Sequence, residues 1–497
     1  MITRTVRRWT ASAALLLFVL PVHAQYPGAR PAPAAWRQGF QTITETDARS
    51  IVTFLAGPDF RGRSALLSDY AAAAGFAAGY FRELGLRPAA PGGSYFQRFA
   101  LARFECLQDQ CSLESASGQV RLTGGADFAI TQAPVCSREL TGELAFARLV
   151  GAQATIEPGS VAGKVLVVRN DTNDPLRVEA LRAASPALIL VVSGDLRGAA
   201  EAAASAPLTV VPVGRAPAES GAPVGRIRRT VAETAARELG AGAFTAPAIE
   251  RDSIETTGLK VRAYLKVREV DRIDQMNVAA LLPGDDPALA NEFVVVGGHL
   301  DHMGLQPDGS VLPGADDNGS GSTGTLLVAR AMASNPRKPR RSVLFVLWAA
   351  EERGLLGSTL YMQEPLAPVE HTIAYLNMDM IGRNAGGKPQ NARVVSLVGS
   401  EATSADLHQL MLELNQHIGF EIKPPSLDAA DLSDCKPFKD RGVPIAFAFT
   451  DVHPDYHTPA DTPDKIDARK LANVAKWVYL AASELASRTA RPQFQRP

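Results

Sequence analysis

Blocks of apolar residues alternate with amphipathic stretches through the second half of the chain. Runs rich in β-branched residues predict buried strands at 277–282, 293–298, 342–348, 372–378, 393–398 and 443–449. Apolar residues at helical spacing predict helices at 321–334, 355–363, 404–418 and 467–487. Strands that alternate with helices are typical of a sheet covered on both faces. We therefore predict an α/β fold with a mostly parallel central sheet flanked by helices.

The first half of the chain has a different pattern. Two amphipathic helices are predicted, one starting at Glu45 and one spanning 69–84. After about Gly124 the sequence changes to short apolar strands at 163–169, 187–192 and 208–213, with an alanine-rich helix between the last two. Because residues 130–260 contain no histidine, we expect an inserted β-rich domain that binds no metal.

The start of the chain has the pattern of a secretory signal peptide. Arg4, Arg7 and Arg8 precede an apolar run at 13–20, and Val22-His23-Ala24 fits a small-residue cleavage site. A membrane anchor is the alternative interpretation, but the run is short for a span of about 20 residues. We expect cleavage after Ala24, with a periplasmic or secreted product that has no membrane segment.

These patterns divide the chain into six parts. They are a signal peptide at 1–24, a flexible leader at 25–44, the first part of the main domain at 45–129, the inserted domain at 130–260, the rest of the main domain at 261–490, and a tail at 491–497. A chain of 497 residues is long enough for two or three domains.

Composition and charge exclude some functions. The 46% hydrophobic and 21% charged residues are ordinary for a globular protein. The net charge of −1 gives no indication of nucleic acid or an anionic membrane as a partner. In an exported protein, Cys106 and Cys111 predict a local disulfide, whereas Cys136 and Cys435 are free or paired.

Imidazole and carboxylate groups follow four of the predicted strands, and one more lies in a glycine-rich loop. They are His299, Asp301, Asp316, Glu351, Glu352, Asp379 and His457. The carboxyl ends of parallel strands meet at one edge of a sheet, where sites form. Each group alone is explained equally well by helix capping or solvation, but four coincidences at one edge favour a site.

These groups have the composition of a hydrolytic zinc site, because histidine and carboxylates occur without cysteine. The candidate ligands number five: His299, Asp316, Asp379, His457 and one of the two glutamates at 351 and 352. One tetrahedral zinc needs fewer ligands than this, so two metals are predicted. In the Glu351-Glu352 pair, one residue binds metal and the other acts as general base. Asp301, two residues after His299, is placed to pair with its other ring nitrogen.

Five motifs in order resemble the zinc-dependent aminopeptidase family that contains aminopeptidase Y and bacterial leucyl aminopeptidases. They are Gly298-His299-Leu300-Asp301-His302, the glycine-rich loop 314–321, the segment 350–358, Asn377-Met378-Asp379 with residues to 383, and the segment 455–462. The resemblance covers about 270–490 and extends weakly to residues 60–63. The inserted domain resembles a protease-associated (PA) domain in its strand pattern.

The resemblance implies a zinc-exopeptidase-like fold, two co-catalytic zinc ions and peptide substrates. It implies the following roles: His299 and Asp379 hold one zinc, Glu352 and His457 hold the other, Asp316 bridges them, Glu351 is the base, and Asp301 orients His299. It also implies a cis peptide bond between Asp316 and Asp317. Relatives have Ser-Asp-His, with a tyrosine shortly before it, where this chain has Ser433-Asp434-Cys435 and no tyrosine. Tyr456 is a candidate substitute, although a packing role is favoured for it.

An aminopeptidase is the leading hypothesis, and three alternatives stay open. A carboxypeptidase or dipeptidase of the same family needs a basic group for the terminal carboxylate, and Arg383 is a candidate. A glutaminyl cyclase-like transferase uses one zinc, whereas this chain has five ligands. An inactive receptor-like binding domain typically lacks ligands that are present here. The sequence gives no indication of the oligomeric state.

Overall fold

A computed structural model describes residues 25–151, 156–172, 175–193, 209–213, 221–306, 308–425 and 429–496. The predicted signal peptide and the predicted alanine-rich helix before residue 208 lie outside the described residues. Within the described part of the chain, no helix has the length and apolar character needed to cross a membrane.

The strands are numbered in chain order. They are β1 Arg87–Pro88, β2 Phe96–Cys106, β3 Ser112–Ser115, β4 Arg121–Thr123, β5 Phe128–Gln132, β6 Arg138–Leu149, β7 Val165–Asn170, β8 Leu188–Ser193, β9 Thr209–Pro212, β10 Val224–Arg228, β11 Ser253–Leu265, β12 Val267–Leu282, β13 Phe293–His299, β14 Gly304–Leu305, β15 Val311–Leu312, β16 Ser342–Trp348, β17 Thr372–Met378, β18 Val394–Val398, β19 Glu421–Ile422 and β20 Ile445–Phe449.

The α-helices are numbered in the same way. They are α1 Arg37–Thr42, α2 Glu45–Leu55, α3 Asp69–Glu83, α4 Pro175–Ala183, α5 Arg229–Glu238, α6 Gly242–Thr245, α7 Gly321–Ser334, α8 Leu356–Gln363, α9 Ser400–Thr403, α10 Ala405–Asn415, α11 Cys435–Asp440 and α12 Ala468–Ser487.

The main sheet has the strand order β19-β18-β20-β17-β13-β16-β12-β2-β9, with β1 beside β12. The pairs β20–β17, β17–β13 and β13–β16 are parallel. The pairs on either side, β18–β20 and β16–β12, are antiparallel. The predicted α/β fold class is confirmed, but the sheet is mixed. Four of the six predicted strands form its parallel centre, whereas the other two, β12 and β18, pair antiparallel beside them, and the unpredicted strand β2 extends the sheet antiparallel.

Alternate residues of the central strands enter two separate apolar clusters. Val294, Val296 and Phe345 pack with the helices α2, α3, α7 and α12 on one face. Val295 and Val346 pack with α8 and α11 on the other. Because both faces are buried, each central strand is apolar throughout, which is why the sequence shows continuous runs rather than alternation.

A second sheet has the order β4-β3-β11-β6-β7-β8-β10-β5 and its own apolar cluster. It extends from Ser112 to Leu265, so it starts before the predicted boundary at residue 130. It is inserted between β2 and β12, which pair along their length in the main sheet. The predicted strand near 208–213 is β9, which joins the main sheet beside β2 and thereby covers an otherwise unpaired edge.

The predicted flexible leader is packed against the main domain. Trp36 is buried, and its indole Nε1 donates a hydrogen bond to Glu484 on α12. The Tyr26 hydroxyl donates to the carbonyl of Ala392 at 2.8 Å. The prediction that residues 25–44 are flexible is therefore wrong. Their proline content is high, but the side chains of Tyr26 and Trp36 pack against the main domain.

The predicted disulfide is also absent. The Sγ atoms of Cys106 and Cys111 lie 3.4 Å apart, beyond the roughly 2.05 Å of a disulfide. Cys136 is exposed, Cys435 is buried, and both are unpaired. The pairing prediction used only sequence separation and compartment, neither of which sets the distance between the two sulfur atoms.

Candidate metal centre

The four central parallel strands all end at one edge of the main sheet, and most of the predicted site residues lie there. β13 ends at His299, β16 ends three residues before Glu351, and β17 ends immediately before Asp379. The loop after β20 carries His457. The sequence prediction that these groups converge is consistent with the geometry described below.

The donor atoms form two groups, each with its atoms within 4.8 Å of one another. The first group contains His299, Glu351 and Asp379. His299 Nε2 lies 3.3 Å from Asp379 Oδ1. Glu351 Oε2 lies farther out, 3.9 Å from His299 Nε2.

The second group contains His302, Asp317, Glu352 and His457. His457 Nε2 lies 3.1 Å from Asp317 Oδ2 and 3.3 Å from Glu352 Oε2. The other oxygen of Asp317, Oδ1, lies 3.4 Å from His299 Nε2 in the first group. The two oxygens of Asp317 therefore face the two groups, which is the placement expected of a bridging carboxylate.

The residue between the two groups is Asp317, not the predicted Asp316. Asp316 turns away: its Oδ1 accepts a hydrogen bond from the backbone N–H of Gly382 at 2.7 Å. Its Oδ2 lies 3.3 Å from His453 Nε2, and both side chains are buried. The cis peptide bond is likewise one residue further on, between Asp317 and Asn318. Because the loop is irregular and contains two adjacent aspartates, the sequence does not show which of them faces the donor groups.

Asp301 lies beside His299 but acts mainly through its backbone. His299 Nδ1 is 3.1 Å from the carbonyl oxygen of Asp301 and 3.9 Å from its carboxylate Oδ1. That carboxylate oxygen instead accepts a hydrogen bond from the backbone N–H of Glu351. Asp301 therefore links two site segments, and its main-chain carbonyl is the closer partner of the His299 ring.

The loop that carries Asp317 is held by two residues that the sequence analysis missed. The Asp461 carboxylate accepts hydrogen bonds from the backbone N–H groups of Asp316 and Asp317. The buried Arg63 guanidinium donates to four backbone carbonyls, including those of Leu300 and Gly314. The weak family resemblance of residues 60–63 is the signal in the sequence that points to Arg63.

Asp379 is supported by a buried chain of hydrogen bonds. The Ser433 hydroxyl donates to Asp379 Oδ2 at 3.0 Å, and Asn377 Nδ2 donates to that hydroxyl. Further back, the Tyr375 hydroxyl donates to Asn377 Oδ1 and accepts from the Trp348 indole. Because each donor points towards the carboxylate, the chain orients Asp379 and stabilises its charged form.

The turn at Glu351 and Glu352 separates two adjacent side chains. Ala350 and Leu355 have left-handed φ values of 56° and 59°, and Gly354 has 97°. Such backbone is costly for non-glycine residues and concentrates at functional sites. Its effect is that Glu351 faces the first donor group and Glu352 the second.

The electrostatics of the site follow from buried carboxylates placed close together. Burial, reinforced by the nearby carboxylates of Asp434 and Glu352, raises the pKa of Glu351 well above its usual value. Burial alone lowers the pKa of His299, but the carboxylates of Glu351 and Asp379 outweigh it and raise that pKa. A cation bound among these groups relieves the same repulsion, so the site is built for positive charge.

A cavity of about 390 Å³ opens beside the donor groups. Its lining combines donor carboxylates with an apolar wall formed by Met380, Ala429, Leu432, Phe447, Phe449 and Val452. Tyr456 also lines the cavity, with its ring stacked on His457 at a centroid distance of 3.8 Å. Among the residues that the structure describes, no lysine or arginine lines it.

The donor set fits zinc. Imidazole nitrogens and carboxylate oxygens without thiolate are typical of catalytic zinc sites. Two donor groups joined through one carboxylate match a pair of ions. The inserted sheet contributes no residue to either group within the described parts of the chain.

The fold and these donors at the carboxyl edge of its sheet form a candidate metal centre, and comparison with known proteins assigns the segment that carries it. Residues 277–482 match the model of peptidase family M28. The chain therefore carries a domain of peptidase family M28.

Relatives and solved structures agree with this assignment. A probable leucine aminopeptidase of Arthroderma otae is 30% identical over 220 residues, which cover 43% of this chain and 58% of the relative. Aminopeptidase YwaD of Bacillus subtilis is 30% identical over 209 residues, 41% of this chain and 43% of that protein. The chain thus spans less than two thirds of these relatives.

The similarity in fold extends over nearly the whole chain. An aminopeptidase from Aneurinibacillus sp. strain AM-1 aligns with a TM-score of 0.58 at 20% identity, covering 93% of this chain and 98% of that one. The zinc aminopeptidase BSAP of Bacillus subtilis aligns with a TM-score of 0.53 at 21% identity, covering 90% and 97%. At this identity the likeness concerns the fold.

The assignment of Asp317 as the bridge predicts different effects for two adjacent isosteric substitutions. If each donor group holds one zinc ion, as the sequence predicts, we expect Asp317→Asn to weaken the binding of both, because one oxygen of Asp317 faces each group. Asp316→Asn keeps an oxygen for the Gly382 N–H, so its effect should stay within the 10–100-fold or so typical of residues that only support ligands. Zinc content after dialysis against a chelator measures the difference, and thermal unfolding checks the fold. Greater zinc loss from Asp316→Asn would restore the original assignment.

Proposed function

We propose that this protein is an exported zinc-dependent aminopeptidase that holds two zinc ions. The observation that carries the proposal is the placement of Asp317 between two donor groups, beside a cavity large enough for an amino-acid side chain. The names of the relatives, probable leucine aminopeptidase and aminopeptidase YwaD, support the same activity.

The charge of the cavity supports removal of N-terminal residues. Its described lining carries four carboxylates and neither lysine nor arginine, which suits the α-ammonium of a peptide rather than a terminal carboxylate. Arg383, the candidate for a carboxypeptidase, is committed elsewhere: its Nη2 lies 2.7 Å from Asp455 Oδ2. The apolar wall, which includes Phe447 and Phe449, favours an apolar first residue.

The chain supplies the protein part of the reaction. His299 and Asp379 would hold one zinc ion, Glu352 and His457 would hold the other, and Asp317 would contribute to both. Such ions, when bound, would lower the pKa of a water molecule and polarise the peptide carbonyl. Glu351 takes the proton from the attacking water and returns it to the departing amine. The Tyr456 hydroxyl, at the cavity wall, donates a hydrogen bond to the carbonyl oxygen as it becomes negative.

The other functions considered from the sequence have less support. A glutaminyl cyclase-like transferase needs one metal, whereas two donor groups are assembled here. An inactive receptor-like domain has less support, because such domains typically lack ligands or the base, whereas this chain has candidates for both. The PA-like character of the inserted domain, and a role in limiting access of large substrates, remain proposals supported by its strand pattern.

Export is proposed from the Arg-rich start and the apolar run at 13–20. Cleavage after Ala24 leaves Gln25 at the N-terminus, and the next residue, Tyr26, is already packed on the domain. We expect mass spectrometry of the exported protein to give a chain that begins at Gln25. A mass that begins at Met1 would contradict the signal peptide.

A substrate panel separates the proposed activity from its alternatives. We expect hydrolysis of leucyl- and phenylalanyl-p-nitroanilides that stops with a chelator and returns with zinc, and little turnover of N-acetylated peptides. Cleavage of N-blocked peptides from the carboxyl end would indicate a carboxypeptidase. Ammonia release from N-terminal glutamine with one zinc per chain would indicate the transferase, and no turnover of any substrate would favour a binding domain.

The adjacent glutamates provide an internal comparison. We expect Glu351→Gln to keep both zinc ions and to lose about 10²–10⁴-fold in kcat, the usual contribution of general acid–base catalysis. Glu352→Gln should lose zinc together with activity, because its carboxylate faces His457 and Asp317. The exposed Glu401→Gln is a matched control. Zinc analysis with kinetics decides: zinc loss in Glu351→Gln, or full activity, would refute its role as base.

A further inference from the structure

His302 is part of the second donor group, although the sequence motifs assign it no role. Its side chain is fully buried, and its Nδ1 lies 2.6 Å from Glu352 Oε1 and 3.5 Å from Asp317 Oδ2. The group therefore contains two imidazoles, those of His302 and His457, with ring centroids 5.6 Å apart. Each is placed differently towards Glu352.

The two oxygens of Glu352 are divided between the two imidazoles. Oε1 is at hydrogen-bond distance from His302 Nδ1. Oε2 lies 3.3 Å from His457 Nε2, which in turn is 3.1 Å from Asp317 Oδ2. Glu352 Oε2, Asp317 Oδ2 and His457 Nε2 thus face one another, whereas Glu352 Oε1 is directed away from them towards His302.

The surroundings of the His302 ring determine which nitrogen carries its proton. A Cβ at Gly314 would lie 2.4 Å from His302 Cγ, so the ring packs directly on that glycine. Nε2 is buried and has no hydrogen-bond partner among the residues that the structure describes. A proton on Nε2 leaves a buried donor unsatisfied and turns the Nδ1 lone pair towards two carboxylates. A proton on Nδ1 makes the short hydrogen bond to Glu352.

We propose that His302 is a positioning residue: it donates its Nδ1–H to Glu352 Oε1 and leaves Oε2 as the oxygen that Glu352 offers to a metal. It is not itself a metal ligand. The inference rests on the proposed function, because it concerns the second ion of a two-metal site. A hydrogen bond of this kind fixes the carboxylate rotamer and limits it to binding through one oxygen.

Two substitutions separate a positioning role from a ligand role. His302→Asn places an amide N–H near the position of Nδ1, so it retains the hydrogen bond but removes the imidazole. His302→Leu has similar bulk and no donor. His371, exposed at the opposite end of the sheet where β17 begins, provides the matched control His371→Asn. Thermal unfolding of each variant confirms that it folds.

The measurement is zinc titration against a competing chelator, together with the visible spectrum of the protein loaded with Co²⁺. We expect His302→Leu to weaken the binding of one of the two zinc ions by about 10–100-fold and to leave the affinity for the other ion unchanged. His302→Asn should keep both affinities within a few-fold, with the cobalt spectrum of the wild type. His371→Asn should match the wild type throughout.

Each other result contradicts the proposal in its own way. If His302→Asn loses the ion as His302→Leu does, and its cobalt spectrum changes, His302 is a ligand. If His302→Leu binds both ions as the wild type does, His302 has no role at the metal. In both cases the wild type still binds two ions and hydrolyses peptides, so the proposed function survives. A wild type that binds fewer than two zinc ions overturns the proposed function and this inference together.

Discussion

Negative charge buried at the carboxyl edge of the main sheet is the constraint on which the site depends. Asp317, Glu351, Glu352 and Asp379 lie together there, and an uncompensated buried carboxylate costs several kcal/mol. The chain provides part of the compensation. The buried Arg63 keeps a pKa of about 10, lowered by burial, so it is cationic at neutral pH. The imidazoles of the site supply more, and a cation bound among the donor groups would supply the rest.

The donors come from segments far apart in sequence, and backbone hydrogen bonds keep these segments in register. Arg63 connects the end of the β13 segment with the loop that begins at Pro313. Asp461 binds the backbone of Asp316 and Asp317 from the loop after β20. The series of buried hydrogen bonds that runs from Trp348 to Ser433 supports Asp379 on the side away from the donor groups. The donors are therefore positioned largely by groups that do not face the metal, which is the usual arrangement of metal sites.

Adjacent residues have different tasks at two places in the site, and the backbone is the reason. Glu351 and Glu352 lie between residues of left-handed φ, so their side chains diverge towards different donor groups. Asp316 and Asp317 also diverge, one towards His453 and one into the site. Regular secondary structure presents alternate or every third residue on one face, so an irregular turn is what gives two neighbours separate roles.

The sequence by itself determined the element pattern and the edge at which the site lies. Strand Ser342–Trp348 and helix Gly321–Ser334 were predicted with their observed bounds, because periodic burial is local information. The tertiary structure alone decided that Asp317 rather than Asp316 lies between the donor groups, that His302 contacts Glu352, and that the leader packs through Trp36. Each of these depends on the distance between atoms far apart in the chain or on the direction of one side chain in an irregular loop. The hydrophobic periodicity of the sequence contains no information on such distances or directions, because both are set only when the loops pack against the folded sheet.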